Sequence, residues 1–262
     1  MKKFKVFLCF FLALSVFFSI SASAASKSFS WFCRHVKGHT QPTIDPSLAF
    51  VEALGGYYID HRHADADAED KVVYLTFDAG YENGNVAKIL DILKEEQVPA
   101  AFFILGGLIE RSPELVLRMR DEGHLVCNHT NRHRDMSTFN DDAFLAELES
   151  LEVLYQELTG ERLSPYYRPP EGRFSRENLA CAQKNGYKTV FWSFAYPDWD
   201  NHKQISTERA KAIVLDNIHN GEVMLLHPTS ATNAAILRDV IQALRADGCR
   251  FGTLDELTAS EQ

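Results

Sequence analysis

Five short apolar runs of this sequence each lead into an ionisable residue, at the end of the run or shortly after it. These residues are Asp78, His129, Arg168, Asp198 and His227. If the runs are parallel strands of one barrel, their carboxyl ends share one rim, where the catalytic residues of such folds gather. Any single one could be an ordinary polar residue at the end of a strand. Five together are hard to explain by packing, and they indicate a functional pocket.

His129 and His133 are four residues apart, the spacing of one helical turn, which lets both imidazoles face one metal ion. Loop histidines share this spacing by chance, so the pair alone is a weak signal. No glutamate follows His129, and the helical motif of zinc peptidases is therefore absent. The apolar run before the pair and the ionisable residues predicted at the same rim favour two metal ligands.

Two further positions have both a functional and a structural interpretation. His227 follows a run apolar enough to be buried, where a lone histidine is more often a core residue, but its place on the predicted rim favours function. Arg168 precedes Pro169 and Pro170, which restrict the backbone on either side of them. Such a turn can hold a guanidinium against a carboxylate such as Asp78, although an ordinary proline-rich loop is the alternative.

Apolar runs alternate with helical periodicities along most of the chain. We predict strands at 72–77, 100–105, 124–127, 166–167, 189–194, 223–226 and 250–253. We predict helices at 86–96, 113–122, 141–159, 175–185, 207–217 and 233–246. This alternation places parallel strands side by side with helices as crossovers, and the number of units favours a closed or nearly closed barrel.

The predicted fold class is therefore α/β, a distorted (β/α)7 barrel resembling a TIM barrel. We expect a single domain at 71–262, preceded by an N-terminal extension at 25–70 that packs on the barrel. The extension begins with Trp31 and a proline-containing stretch at 41–46, and it ends in an acidic run.

The first 24 residues have the order of a secretory signal peptide. Three lysines precede an apolar run over 6–20, and small residues follow at 21–24. A permanent membrane anchor is the weaker interpretation, because Ser15 interrupts the run and its length falls short of the roughly 20 residues that span a bilayer. We predict cleavage after Ala24 and a mature protein that is secreted or wall-associated, without stable membrane insertion.

The formal net charge is −9 at pH 7, which argues against nucleic acid as a partner because that ligand requires a basic face. We expect a monomer. The cysteines of the mature chain are Cys33, Cys127, Cys181 and Cys249. They are far apart in the sequence, and a domain of this size does not depend on disulfides, so we expect free thiols.

Five blocks of the sequence resemble, in order, the signature motifs of the polysaccharide deacetylase family, carbohydrate esterase family four. The blocks are Thr76 to Gly80, His129 to His133, Arg168 to Gly172, Asp198-Trp199 and Leu225 to His227. Three further stretches are similar to the deacetylases that act on N-acetylmuramic acid and form the δ-lactam of spore cortex peptidoglycan. These stretches are Tyr81 to Gly84, Phe174-Ser175 and Trp192 to Trp199.

The resemblance implies a role for each matching residue. Asp78 would be the general base that acts on a metal-bound water, and His227 the general acid that protonates the leaving amine. Arg168 would orient Asp78, and Asp198 would pair with a catalytic group and tune it. The backbone N–H of Glu171 would face the developing oxyanion. These roles are physically consistent with amide hydrolysis.

The resemblance also implies a divalent metal ion, zinc, cobalt or manganese, with His129 and His133 as ligands. The family usually has a carboxylate ligand where this chain has Ala79. The two histidines would then be joined by waters or by Asp78 itself, so metal binding should be weak or the metal dispensable. Glu171, Arg173 and Trp199 fall where the substrate would bind. A carboxylate at Glu171 would repel the lactyl group of muramic acid unless Arg173 compensates.

Three functions remain open at this point. The first is hydrolysis of N-acetyl groups from N-acetylmuramic acid in the peptidoglycan glycan strand, as implied by the resemblance. The second is deacetylation of chitooligosaccharide, other N-acetylglucosamine polymers or acetylated xylan. The third is a glycan-binding module that has lost catalysis along with its metal site, an interpretation motivated by Ala79.

Overall fold

The computed structural model of this chain describes residues 27–259. The predicted signal peptide at 1–24 lies outside the described residues. The strands are β1 (Phe29–Ser30), β2 (Gly56–Tyr57), β3 (Lys71–Ala79), β4 (Ala101–Ile104), β5 (Leu125–Asn128), β6 (Ser164–Tyr167), β7 (Arg173–Phe174), β8 (Lys188–Val190), β9 (Glu222–Leu226) and β10 (Cys249–Phe251).

The α-helices are α1 (Phe50–Ala53), α2 (Val86–Glu96), α3 (Gly106–Arg111), α4 (Pro113–Asp121), α5 (Asp141–Thr159), α6 (Arg176–Lys184), α7 (Thr207–Asn217), α8 (Ala231–Ala246) and α9 (Leu254–Leu257). The six helices predicted from periodicity are α2 and α4 to α8, with ends within two residues of the prediction. The prediction omitted α3, since it begins with two glycines and has no side-chain cap.

The parallel strands curl into a nearly closed barrel, and β3 is the strand of its wall with the most partners. This strand pairs with β4, β9 and β10, and the sheet continues from β4 through β5 and β6 to β8. Residues 193 and 194, which follow β8, join the sheet to β9. The Ser193 N–H donates to the Val223 carbonyl, and the Leu225 N–H donates to the Phe194 carbonyl. The predicted (β/α)7 barrel is confirmed, and the irregular backbone at 191–194 is its distortion.

Strand β3 is buried on both faces, which explains its nearly continuous apolar sequence. Val73, Leu75 and Phe77 pack in the layer between the sheet and the outer helices. Val72 and Tyr74 lie on the opposite face, in the barrel interior. Since successive side chains alternate between the faces, the same periodicity directs the side chains of residues 76 and 78 inward.

The N-terminal extension packs on the barrel near β7 and β8, where its strand β1 pairs with β7 and its strand β2 pairs in parallel with β8. Trp31 is buried, and its ring stacks on Phe191 with 4.4 Å between centroids. Its backbone N–H donates to the Gly172 carbonyl at 2.8 Å. Gln41 donates to the carbonyls of Asp60 and Asn220 and so ties the extension to the turn before β9.

The cysteine thiols of the described chain are unpaired, and those of Cys127, Cys181 and Cys249 are buried. Within residues 27–259, every helix is too short or too polar to cross a lipid bilayer.

Candidate active site

A pocket of about 670 Å³ opens at the carboxyl ends of the barrel strands. Six of the residues predicted to form the site line it: Asp78, His129, His133, Glu171, Trp199 and His227. Arg168 and Asp198 lie behind this lining and contact it. The placement follows from the topology, because parallel strands present their last residues on one rim.

Asp78 and Arg168 form a buried ion pair at the base of the pocket. Arg168 Nη1 donates to Asp78 Oδ1 at 2.8 Å. The Asp78 side chain is 10% exposed and that of Arg168 is fully buried. Burial by itself raises the pKa of Asp78, but the neighbouring His129, Arg168 and His227 outweigh it and hold that pKa below its usual range. Asp78 is therefore a carboxylate at neutral pH.

Three further N–H groups of Arg168 are hydrogen-bonded, which explains how a guanidinium is tolerated in the core. Nε donates to the Val190 carbonyl, while Nη2 donates to Thr76 Oγ1 and to the Phe191 carbonyl. The guanidinium also lies 4.1 Å from the centroid of the Phe103 ring. Arg168 is thus fixed in one orientation, and it fixes Asp78 in turn.

His129 presents an unprotonated nitrogen to the pocket. Its Nδ1–H donates to the Arg168 carbonyl at 2.8 Å, which leaves Nε2 as the free nitrogen of the neutral ring. Nε2 lies 3.5 Å from Asp78 Oδ2. Burial lowers the pKa of His129 to about 4, so the ring is neutral near pH 7. A neutral imidazole whose other nitrogen is held by a carbonyl is the usual form of a metal ligand.

His133 reaches the same place through a strained loop rather than a helical turn. Residues 129–133 are not helical, so the helical turn that the four-residue spacing predicted is absent. Thr130 and His133 have φ values of 70° and 53°, and such angles are rare for residues with a side chain. The His133 N–H donates to Thr130 Oγ1 at 3.0 Å. The loop brings the two imidazole centroids to 5.1 Å from each other.

His129 and His133 are two candidate ligands for a divalent metal ion. Among the described residues, no group of three histidine, cysteine, aspartate or glutamate side chains has the arrangement of a metal site. Ala79 is fully buried and packs in the apolar layer outside the sheet, so position 79 supplies only a methyl group there. His129 and His133 could hold a divalent ion as part of a set completed by other ligands.

His227, which is 25% exposed, and the buried Asp198 form a second pair at the pocket. His227 Nδ1 lies 2.7 Å from Asp198 Oδ1, and the His227 backbone N–H donates to Asp198 Oδ2 at 2.7 Å. Burial lowers the pKa of His227, but Asp198, together with the more distant Asp78, outweighs it and raises that pKa above its ordinary value. With Nδ1 bound to Asp198, Nε2 is the nitrogen left to exchange protons in the pocket.

Several contributors to the pocket were missed by sequence reasoning, among them two aromatic side chains and an asparagine. Tyr81 and Trp192 line it with aromatic surface, and Asn233 lies behind Asp198, to which it donates at 2.5 Å. The aromatic residues stand within the matched sequence stretches, so their type was the available signal. Asn233 falls in the first turn of α8, where an asparagine is typical of helix starts and gives no indication of a site.

Two of the predicted substrate-binding residues have contrasting positions. Trp199 is 60% exposed, and its ring centroid lies 6.2 Å from that of His227, so an apolar face is free beside the pocket. Arg173 does not line the pocket. Its Nε lies 2.9 Å from Asp135 Oδ2. The structure therefore gives Arg173 a partner other than Glu171, whose backbone φ of 55° marks the adjacent turn.

Comparison with known proteins gives consistent matches. The profile of the polysaccharide deacetylase family matches residues 65–190. The peptidoglycan-N-acetylmuramic acid deacetylase PdaA of Bacillus subtilis is 35% identical over 87% of this chain and 85% of its own length. Its solved structure, described as a family 4 carbohydrate esterase, has a TM-score of 0.82 and covers 88% of this chain and 97% of that chain.

Two further relatives carry different substrate names. A peptidoglycan-N-acetylglucosamine deacetylase of Bacillus cereus is 33% identical over 71% of this chain and 67% of its own length. A chitooligosaccharide deacetylase of Rhizobium leguminosarum bv. trifolii is 33% identical over 74% of this chain and 86% of its own length. These matches confirm the resemblance that the five sequence blocks indicated.

Proposed function

This chain belongs to the polysaccharide deacetylase family, and from that premise we propose that it removes the N-acetyl group of N-acetylmuramic acid in peptidoglycan. It is a carbohydrate deacetylase. The observation that carries the proposal is the pairing at the pocket: a carboxylate held by a buried arginine faces the same cavity as a histidine held by a buried aspartate.

Asp78 is the general base of the proposed mechanism. Its carboxylate is ionised at neutral pH and is oriented by Arg168, so that Oδ2 remains free to accept a proton from the attacking water. The bond from Arg168 also keeps the carboxylate from rotating. Water then adds to the acetyl carbonyl carbon, and the carbonyl oxygen becomes negatively charged.

Two further groups that line the pocket complete the reaction. We assign the backbone N–H of Glu171 as the donor to the developing oxyanion, because its residue lines the pocket in a fixed turn. His227 is the general acid. Its raised pKa keeps a fraction of the rings protonated near neutral pH, and its proton passes to the departing sugar amine as the C–N bond breaks and acetate is formed.

We expect the reaction to depend on a divalent ion, zinc, cobalt or manganese, held weakly by His129 and His133. When bound, such an ion supplies polarisation of the acetyl carbonyl and lowers the pKa of a coordinated water. The neutral state of His129 and the fixed tautomer support this expectation. Chelation should therefore abolish activity reversibly, and readdition of metal should restore it.

The choice of N-acetylmuramic acid is supported by PdaA, which carries that substrate in its name and matches most of this chain. Removal of the acetyl group would leave an amine beside the lactyl carboxylate of the same sugar, and their condensation with loss of water is the route to the muramic δ-lactam of spore cortex. The exposed face of Trp199 is available to pack against a sugar ring. Peptidoglycan lies outside the cytoplasmic membrane, in agreement with the predicted export signal.

Mass spectrometry of muropeptides incubated with the enzyme and each metal tests the proposal. We expect loss of acetyl from muramic acid, no loss with Asp78→Asn, and normal activity with Asp239→Asn, whose exposed carboxylate pairs with Lys211 on the outer helices. Acetate released only from N-acetylglucosamine, chitooligosaccharide or xylan would transfer the activity to those substrates. Tight glycan binding without acetate release by folded protein would identify a non-catalytic binding module.

A further inference from the structure

The amide of Asn233 lies behind the His227–Asp198 pair and joins the Asp198 carboxylate to the His227 carbonyl. We propose that Asn233, supported by Tyr196, is a positioning residue that holds Asp198 and the His227 backbone together and so sets the orientation of the imidazole. The inference rests on the proposed function only in assigning His227 as the general acid. The hydrogen bonds that it uses do not involve the metal ligands.

Both N–H groups of the Asn233 amide are used on this pair. Nδ2 donates to Asp198 Oδ2 at 2.5 Å and to the His227 carbonyl at 3.1 Å. Asp198 Oδ2 also accepts the His227 backbone N–H, which leaves Oδ1 for the imidazole Nδ1. One amide therefore bridges the carboxylate and the main chain of the histidine that the carboxylate must orient.

Tyr196 completes the network on the other side of the amide. Its Oη donates to Asn233 Oδ1. Tyr196 and Asn233 are 4% and 1% exposed, so water does not replace these bonds. The arrangement also fixes which way the amide points, because a flipped amide would turn its oxygen toward the acceptor oxygen of Asp198.

Asparagine is the side chain that this position requires. An alanine would remove one of two donors to Asp198 Oδ2 and would leave the Tyr196 hydroxyl buried without its partner. An aspartate would have the same shape but would set a second carboxylate against Asp198. In either case the carboxylate loses a bond that opposes its rotation, and the imidazole loses a fixed acceptor.

Few charged groups act on His227, so a substitution at Asn233 should change the pKa of the His227 ring measurably. Asp198 and Asp78 favour the protonated imidazole, and Arg168 opposes it. Of these only Asp198 is hydrogen-bonded to the ring. Loosening Asp198 should therefore lower the pKa of His227 and shift the alkaline limb of activity toward lower pH, because the general acid must be protonated.

NMR titration of the His227 ring and pH profiles of kcat and KM, measured on the full mature chain, test the proposal. We expect Asn233→Ala to lower the pKa of His227 by about half a pH unit or more and to reduce kcat by roughly tenfold or more, with KM less affected. Tyr196→Phe, the milder change, should shift both quantities in the same direction by less.

The matched control is Asn220→Ala, a buried asparagine near the opposite end of β9 whose side chain bonds only to backbone groups. Both alanine variants should lower the melting temperature, but only Asn233→Ala should move the His227 titration. An unchanged titration in both Asn233→Ala and Tyr196→Phe would overturn the proposal. A changed titration in a protein that deacetylates no glycan would retain the positioning role and reject the proposed function.

Discussion

Strand β9 carries a histidine–carboxylate pair near each end, and the two pairs have opposite charge states. At the rim, His227 lies 2.7 Å from Asp198 and its pKa is raised. At the other end, His219 Nδ1 lies 3.1 Å from Glu222 Oε2, yet the pKa of His219 falls to about 4. Proximity of a histidine to an acid therefore does not by itself produce a charged pair.

The difference lies in burial and in the donors offered to each carboxylate. Asp198 accepts hydrogen bonds from the His227 backbone, the His227 ring and Asn233. Glu222 is fully buried, its Oε1 has no partner among residues 27–259, and burial raises its pKa well above the ordinary value. Burial also keeps the His219 ring neutral. The same residue types give an acid–base pair at the rim and an uncharged pair in the core.

The largest expected effect separates the two histidines in catalysis. His227→Ala should reduce kcat by about a thousandfold, because the amine would leave without a proton donor. His219→Ala should leave kcat within about threefold at a temperature where the protein is folded, since the ring contacts Ser193 and the backbone in the core. Acetate release measured on both variants checks this difference. Equal losses of activity would contradict the assignment of a catalytic role to His227 and not to His219.

The second effect is on acid stability. The pKa of His219 is depressed in the folded state, so its contribution is present above the unfolded value of 6.5 and is lost as the pH falls toward about 4. This loss amounts to up to about 3 kcal/mol at the acid end. His219→Gln should make the free energy of unfolding correspondingly less dependent on pH between 6.5 and 4. Urea titrations at several pH values measure it, and an unaltered slope would contradict the neutral state of His219.

A third experiment removes the charge at the rim. Asp198→Asn should reduce kcat by about a hundredfold and move the alkaline limb of its pH profile to lower pH, because the imidazole loses the group that favours its protonated form. The midpoint of that limb should not move in Glu222→Gln. A limb that stays in place in Asp198→Asn would show that another group controls it.

The last effect is an increase in stability, the opposite of what most substitutions produce. Since Glu222 is protonated when folded and ionises when unfolded, its raised pKa destabilises the fold as the pH rises above 4.5. Glu222→Gln should therefore increase the free energy of unfolding, by up to about 1.4 kcal/mol for each pH unit above that value until the folded pKa is reached. A decrease at pH 7 would indicate that Glu222 is ionised in the fold.

The sequence was sufficient to predict the barrel and the residues on its rim. Strands such as β3 are buried on both faces, so local composition reveals them, and a polar residue such as Asp78 at the end of an apolar run stands out. The loop at 129–133 was not predictable from spacing alone. Its two left-handed residues place His133 beside His129 without a helical turn.

The contacts that the sequence did not predict are made between residues that lie far apart in the chain. Arg173 pairs with Asp135, and Asn233 reaches Asp198, across 38 and 35 residues that give no local signal. The core cluster of Ser193, His219 and Glu222 likewise forms only when the barrel closes. Such contacts depend on how the strands come together, whereas periodicity reports only how each segment is buried.

The backbone at Thr130 also bears on how this protein could be altered without losing its function. A β-branched residue with φ of 70° costs on the order of 1–3 kcal/mol, and glycine would relieve that cost. Thr130→Gly would remove this backbone strain. The hydroxyl that such a change discards accepts the His133 N–H. The strain at Thr130 is thus coupled to the placement of His133, and variants that relieve it should change the position of that imidazole.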